Sequence, residues 1–288
     1  MMTDLVSHMP ATITQLNIYP VKSCRGIALT EACLHDEGLE YDRQWMIVDP
    51  RGRFLTQREV PCLALIGTSV RADVLTLTVP NAGSISVPAP LANSSRDVRI
   101  WSDNCRGFDC GDDVARLLTR FLERQVRLVK FDRAEARYSD VKFTAEIAAP
   151  QRFSDGFPIL LIAEESFEDL NERLLTPVPM NRFRPNIVIR GLGAYSEDRL
   201  HEMRIGAVML RVVKPCMRCK IVTTDQATAE VDAQEPLRTL KQYRWNRILR
   251  GISFGQNVVV VAGARHSLHV GQPMEVSWRA SETPVARS

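Results

Sequence analysis

The chain has 288 residues, 45% hydrophobic and 25% charged. This composition excludes extensive disorder and, at roughly 100–200 residues per domain, predicts two domains that each bury a core. With 37 Lys+Arg against 34 Asp+Glu the net charge is +3, which excludes nucleic-acid binding by bulk charge, so an anion must be met by local clusters of basic side chains.

No apolar run approaches the ~20 residues of a bilayer span. The opening MMTDLVSHMP lacks the basic lead and apolar block of a secretory signal. The expectation is a cytoplasmic protein with no membrane or nucleic-acid partner. Seven cysteines, an odd number in a chain with no export signal, argue against a disulfide framework and for reduced thiols.

In chain order, Thr12–Val21 reads as a strand ending in a Tyr19-Pro20 turn. Gln44–Val48 and Arg53–Thr56 flank Asp49-Pro50-Arg51-Gly52 and predict a hairpin. Leu75–Val79 alternates with period two, the signature of a half-buried strand. Ser84–Val87 and Val98–Trp101 predict two more strands. Val114, Leu117, Leu118, Phe121 and Leu122 recur at helical spacing, with Asp112 as N-cap and an end near Arg124. Val126–Phe131 returns to strand, and the polar 134–150 stretch reads as an inter-domain linker.

The second half predicts strands at Phe157–Ala163, Asn186–Ile189, Ile252–Val261 and Met274–Trp278, and a hairpin around Gly206 over Ile205–Val213. Short helices are expected at Ser166–Leu175 and Pro236–Tyr243. Many strands, few short helices and frequent turns predict a mostly β, α+β chain of barrels rather than a doubly wound sheet. The expected division is a β-barrel-like domain over 11–133, a linker over 134–150 and a second β-barrel over 151–279, with flexible termini at 1–10 and 280–288.

The strongest chemical signal is KPCMRC at 214–219. Cys216 and Cys219 could be half of a zinc site, completed by Cys105 and Cys110. They could be a redox dithiol, although Lys220–Thr224 reads as a β-branched strand and that motif needs a helix N-terminus. Or one thiolate could ligate a soft transition metal, with Arg218 beside Cys219 favouring the thiolate. Nothing local separates zinc from the single ligand.

Three basic segments accompany this motif. Tyr19–Gly26 places Lys22 and Ser23 at a strand end, suited to an anion or to a solvated turn. Arg43 follows Asp42 and precedes an apolar strand. Arg182 and Arg184 alternate around Phe183, facing one way, as a salt-bridge rim or as two guanidiniums aimed at a phosphate or pterin.

Taken together and in order, YPVKSCRG (19–26), YDRQWMIVD (41–49), TQRE (56–59), FSDGFPILL (153–161), NRFRPNIVIRG (181–191), KPCMRC (214–219), EPLRTLKQYR (235–244) and FGQN (254–257) resemble the MOSC-domain proteins with an N-terminal MOSC β-barrel. That group contains the mitochondrial amidoxime-reducing components and the bacterial YcbX-like proteins. The resemblance spans about residues 12–275 and implies a molybdenum-molybdopterin cofactor held between two domains.

Carried over by position, the resemblance makes Cys219 the metal-ligating and catalytic cysteine, and Cys216 a nearby non-ligating one. Lys22, Ser23 and Arg43 match cofactor contacts from the first domain, and Asp155, Gly156 and Phe157 the contact loop. Arg184 and Asn186 match contacts from the second domain, Met217 and Arg218 precede the ligand, and Asn257 follows the FGQ turn. Gly156, Phe157, Met217 and Asn257 differ in type from some members, so backbone contacts are implied there.

The implied activity is reduction of small N-hydroxylated compounds: amidoximes, hydroxylamines and N-hydroxylated bases. Asp155 is the candidate general acid by position alone, and the five histidines read as surface or satisfied core residues. No cysteine follows Cys219, so no plant-type iron–sulfur run is present and the C-terminal ferredoxin domain of some relatives is not expected. Electrons are then expected from a separate reductase or ferredoxin. The competing class is a molybdenum-cofactor carrier or sulfur-transfer module without turnover of its own.

Overall fold

The computed structural model describes residues 11–91, 93–135 and 137–279; the expected flexible termini lie outside them. The fold is α+β, mostly strands with a few short helices. The largest sheet has nine strands. Its main path runs Glu275–Trp278, Leu200–Ile205, Val208–Met217, Gly251–Ala262, Ile159–Ala163, Ile187–Arg190, Thr12–Ile18 and Ile27–Leu29, with Trp245–Asn246 paired to Gly251–Ala262.

The topology ties the two halves of the chain together. Thr12–Ile18 pairs antiparallel with Ile187–Arg190, Leu16 opposite Ile187. Glu31–His35 pairs with Ser267–His269. Ile13, Leu16, Ile18, Leu34 and Leu39 share one buried cluster with Leu161, Ile187, Leu210 and Val258. The reason is hydrophobic: these early strands alternate apolar side chains whose matching face lies on the second half of the chain. A second crossing runs the other way, because Phe153 packs among Met46, Val98, Val129 and Phe131.

The rest of the first half builds two smaller sheets. Trp45–Val48, Arg127–Phe131, Asp103–Asp109 and Ser95–Ile100 lie in that order, and Gly67–Arg71, Val74–Val79 and Gly83–Ser86 form a meander. The expected 44–56 hairpin is reduced to a Val48–Phe54 bridge, because Trp45–Val48 takes Arg127–Phe131 as its main partner. All four residues of Trp45–Val48 are buried, and a strand buried on both faces needs a ladder that a short hairpin arm does not supply. The helix spans Asp112–Leu122 and buries Val114, Ala115, Leu118 and Leu122. Its N-cap is Gly111 rather than Asp112, which sits with Asp113 in the first turn, where negative charge favours the helix dipole.

Two further expectations change. The helix expected over Ser166–Leu175 spans Glu164–Arg173. The 134–150 stretch is not a bare linker: it carries a helical turn at Val141–Thr144, and Arg137, 6% exposed, donates from Nη1 to Arg152 O (2.9 Å) and Ser154 O (2.6 Å) and from Nε to Asp103 Oδ2 (2.9 Å).

Candidate functional site

The turn after Thr12–Ile18 is locked into the 41–45 turn by backbone bonds. Arg43 N donates to Tyr19 O, Trp45 N to Pro20 O and Lys22 N to Trp45 O, at 2.8–2.9 Å. Tyr19 is buried, its hydroxyl donates to Pro185 O at 3.2 Å, and burial pushes its pKa up to about 12. Its ring is flanked by the guanidinium carbons of Arg184 at 4.1 Å and Arg43 at 4.4 Å, a cation–π arrangement. Gly26 is what lets the ring sit there, since a Cβ on it would come within 2.5 Å of Tyr19 Cε1.

Three site residues hold left-handed backbone: Ser23 (φ 68°), Arg43 (φ 46°) and Arg184 (φ 57°). Such conformations are uncommon for non-glycine residues and cluster where surrounding structure fixes a side chain for a purpose.

Lys22 joins the two halves. Its residue is 5% exposed, and Nζ donates to Phe153 O at 2.7 Å and to Asp155 Oδ1 at 2.8 Å. Burial lowers the lysine pKa, and Asp155 opposes that shift. Asp155 lies in a dense part of the cleft although 56% of its side chain still faces open space. Burial acts against its charge, but the Lys22 ammonium, Arg58 and the Trp101 N–H (3.1 Å) hold the carboxyl well below the usual range. Asp155 is therefore ionised at neutral pH. In that form it accepts hydrogen bonds.

Arg43 Nη1 donates to Asp42 Oδ2 (2.6 Å) and Asn186 Oδ1 (2.9 Å). Asn186, 1% exposed, also accepts from Leu160 N (3.1 Å) and donates to Asn17 O (3.1 Å). Its amide is thus spent on aligning Arg43 and three strands. Arg184 Nη1 donates to Cys24 O at 2.8 Å. Desolvation, partly offset by Tyr19, pushes the Arg184 pKa down to about 10, still fully charged at neutral pH. Arg182 turns instead to Asp225 Oδ2 at 3.0 Å, so the left-handed turn at Arg184 breaks the alternation read from the sequence.

The two cysteines of KPCMRC have different settings. Cys216 ends the Val208–Met217 strand and takes an N–H from Arg218 Nη1 at 3.1 Å. Cys219 precedes a 3₁₀ turn at Lys220–Thr223, not the expected strand, because Thr223 Oγ1 bonds back to Lys220 O at 2.8 Å and Val222 is buried against Phe183 and Phe254. Arg58 addresses Cys219 Sγ with a fork, Nε at 3.2 Å and Nη2 at 3.1 Å. The same guanidinium lies 4.5 Å over the Trp101 ring. Cys105 and Cys110 are buried in separate apolar clusters, their thiols pushed up to about 11 and about 12 by desolvation. They do not complete a zinc site with Cys216 and Cys219.

One cleft gathers every residue that the resemblance assigned to the cofactor: Lys22, Ser23, Arg43, Asp155, Gly156, Phe157, Arg184, Asn186, Met217, Arg218, Cys219 and Asn257. It also contains Arg182, read from the sequence as a rim or anion-facing guanidinium, and residues that sequence reasoning did not assign, chiefly Arg58 and Gln57. Arg58 lay within the TQRE block, but a lone Arg after a strand reads as a solvated charge. Gln57 is held by reciprocal amide bonds to Gln226 (3.0 and 2.9 Å). Six cations line the cleft against the single carboxylate of Asp155. Buried guanidinium nitrogens of Arg58, Arg182, Arg184 and Arg218 have no hydrogen-bond partner. His8 lies outside the described residues; His201, His266 and His269 are exposed and none of the described histidines lines the cleft.

Residues 10–125 match the MOSC N-terminal beta barrel domain and residues 149–275 the MOSC domain. The chain belongs to the two-domain MOSC family. Mitochondrial amidoxime-reducing component 1 of Mus musculus is 39% identical over 245 residues, covering 81% of this chain and 71% of that protein. The Homo sapiens component 1 is 37% identical over 279 residues, covering 91% and 82%. Mitochondrial amidoxime reducing component 2 of Rattus norvegicus is 38% identical over 244 residues, covering 81% and 72%. Among the described residues no helix is long and apolar enough to cross a membrane.

Proposed function

We propose that this chain is a cytoplasmic, molybdenum-cofactor-dependent reductase of small N-hydroxylated compounds that draws electrons from a separate protein partner. The observation that carries the reading is the convergence of the Cys219 thiol with six cations from both halves of the fold. A molybdopterin offers soft sulfur and metal at one end and an anionic phosphate at the other, and this donor set suits both. The unpartnered guanidinium nitrogens support the same fit, because buried donors left alone are costly. The relatives' names supply the reaction class.

In this reading Cys219 Sγ holds the metal, and Lys22, Ser23, Arg43, Arg184 and Arg218 hold the polar and anionic parts. When bound, the cofactor supplies two-electron reduction of the N–O bond; with two protons the products are the N–H compound and water. The chain's own residues orient and shield. Arg58, forked onto Cys219 Sγ, would orient that sulfur toward the cofactor. The Asp155 carboxylate, fixed by Lys22 and Trp101, accepts a hydrogen bond from an N–OH or amidine N–H group at the cleft mouth.

The test is metal and pterin analysis of wild type and Cys219→Ala, made in a host that synthesises the cofactor, with a benzamidoxime assay using an artificial electron donor. Loss of molybdenum and of turnover in Cys219→Ala supports the reading. Equal loading and equal activity overturn it. Full loading of the wild type without turnover indicates a carrier.

A further inference from the structure

Outside the cleft, one cluster brings three metal-competent donors together. The strand Glu31–His35 turns back into Gly38–Leu39, with Leu34 opposite Leu39 and His35 opposite Gly38. Glu40 N donates to Cys33 O at 2.8 Å, which places Glu40 opposite Cys33. Opposed residues, and residues two apart on one strand, share a face of a sheet. The register therefore puts Leu34 and Leu39 inward, where both are fully buried, and Cys33, His35 and Glu40 together on the other face. Their donor atoms all lie within 4.8 Å of one another, and His35 Nε2 is 3.4 Å from Glu40 Oε1.

An ordinary His–Glu pair accounts for two of these donors but not for the thiol beside them. The Cys33 sulfur makes one long contact, 3.8 Å to Leu34 O. Tetrahedral zinc, with bonds of ~2.0–2.3 Å, holds its ligand atoms ~3.5 Å apart, so closure needs movements of only about an ångström. A sulfur–nitrogen–oxygen set selects borderline metals such as zinc or cobalt over magnesium or calcium.

We propose that Cys33, His35 and Glu40 bind a single divalent ion of the zinc type, with the fourth position open to water or to Glu31 two residues before Cys33. The ion pins the 31–40 hairpin. That hairpin supports the cleft from behind: Glu37 faces Arg152 Nη2 at 3.5 Å, and Arg152 Nη1 donates to Leu39 O at 2.8 Å. Arg152 leads directly into the Phe153–Asp155 segment that Lys22 grips.

Metal-stripped protein carrying Cys216→Ser and Cys219→Ser, so that the cleft thiols contribute nothing, is titrated with cobalt(II). The expected result is saturable uptake of about one ion per chain, with a near-ultraviolet sulfur-to-cobalt charge-transfer band that zinc abolishes by displacement. Adding Cys33→Ser removes the band, and His35→Gln or Glu40→Gln weakens binding at least ~tenfold. All three residues sit on the face away from the buried leucines, and far-ultraviolet circular dichroism of the metal-free variants checks the fold. Absence of saturable uptake, a band that survives Cys33→Ser, or affinity unchanged by both His35→Gln and Glu40→Gln overturns the proposal.

Discussion

Replacing Lys22 by methionine keeps the length of the side chain and its packing near the Phe54 ring, 5.5 Å from the ammonium, while deleting the charge that ties the halves together. Two interactions go. The bond to Phe153 O at 2.7 Å is charge-assisted and buried, and losing such a bond while orphaning the carbonyl costs about 2–3 kcal/mol. The ion pair with Asp155 adds little, because that carboxylate is 56% exposed and can rehydrate. Against this stands relief of the ammonium's desolvation, the main reason its pKa is lowered. The net expectation is a loss of about 2 kcal/mol, a fall in Tm of about 3–4 °C. Urea unfolding of wild type, Lys22→Met, Asp155→Asn and the double variant measures it. The double variant is expected to fall short of the sum of the singles by about 0.5–1 kcal/mol. Lys22→Met as stable as wild type, or strict additivity, would refute the idea that this lysine braces the cleft.

Gly26→Ala drives a methyl into the Tyr19 ring and is expected to cost about 1–3 kcal/mol, read by chemical denaturation, while Gly156→Ala, with nothing near its Cβ, is close to neutral. Glu197 is 1% exposed, and burial pushes its pKa from 4.5 up to about 7 against the opposing bond from Ser166. The fold therefore holds this proton more tightly than the unfolded chain, and stability from this group is present below pH 4.5 and declines as pH rises to about 7. Glu197→Gln should gain as much as ~3 kcal/mol at pH 8 and little at pH 4; a flat difference across that range would sink the assignment. Because Thr12–Ile18 lies in the sheet of the second half, the chain should unfold in one transition. Fluorescence of Trp45 and Trp101, read in a variant lacking Trp245 and Trp278, should coincide with far-ultraviolet circular dichroism of the whole; separated midpoints would contradict it.

Periodicity made part of this fold legible. Leu75, Leu77 and Val79 are buried in Val74–Val79, as strict alternation predicts, and the helical spacing of Val114, Leu118 and Leu122 marked the longest helix of the first half. Partner choice was not legible. Alternation says which face of Thr12–Ile18 is buried, not that its neighbour lies some 170 residues away at Ile187–Arg190. The strand Asp103–Asp109 went unread because its outward positions are polar and its inward ones are Cys105 and Gly107, too small to make an apolar pattern.

In the cleft, residue type was informative wherever the side chain does something only that type can do: Lys22, Arg43, Cys219. It was silent about roles created by geometry. Asn186 proved to be an internal clamp, Asp155 a fixed anion, and Arg58 the partner of the central sulfur.

The strand exchange also explains why the cleft is where it is. Thr12–Ile18 carries the chain to the edge of the Ile187–Arg190 strand, so the turn that follows, Tyr19–Cys24, is delivered beside the turn that precedes Ile187, which holds Arg182 and Arg184. Tyr19 of the first loop then has two guanidiniums against its ring, Arg184 from the second loop and Arg43 from the 41–45 turn. Like charges held this close repel; in this structure the Tyr19 ring lies against both, Asp42 pairs with Arg43, and Asp225 pairs with the neighbouring Arg182. The balance is incomplete on the open side, where Arg58 and Arg218 add further charge around two sulfurs. A fold that only needed stability would have placed apolar groups there at lower cost. The left-handed backbone at Ser23, Arg43 and Arg184 adds strain at the same positions, so the sheet junction concentrates both unfavourable electrostatics and unfavourable backbone where an anionic, sulfur-seeking ligand relieves the first.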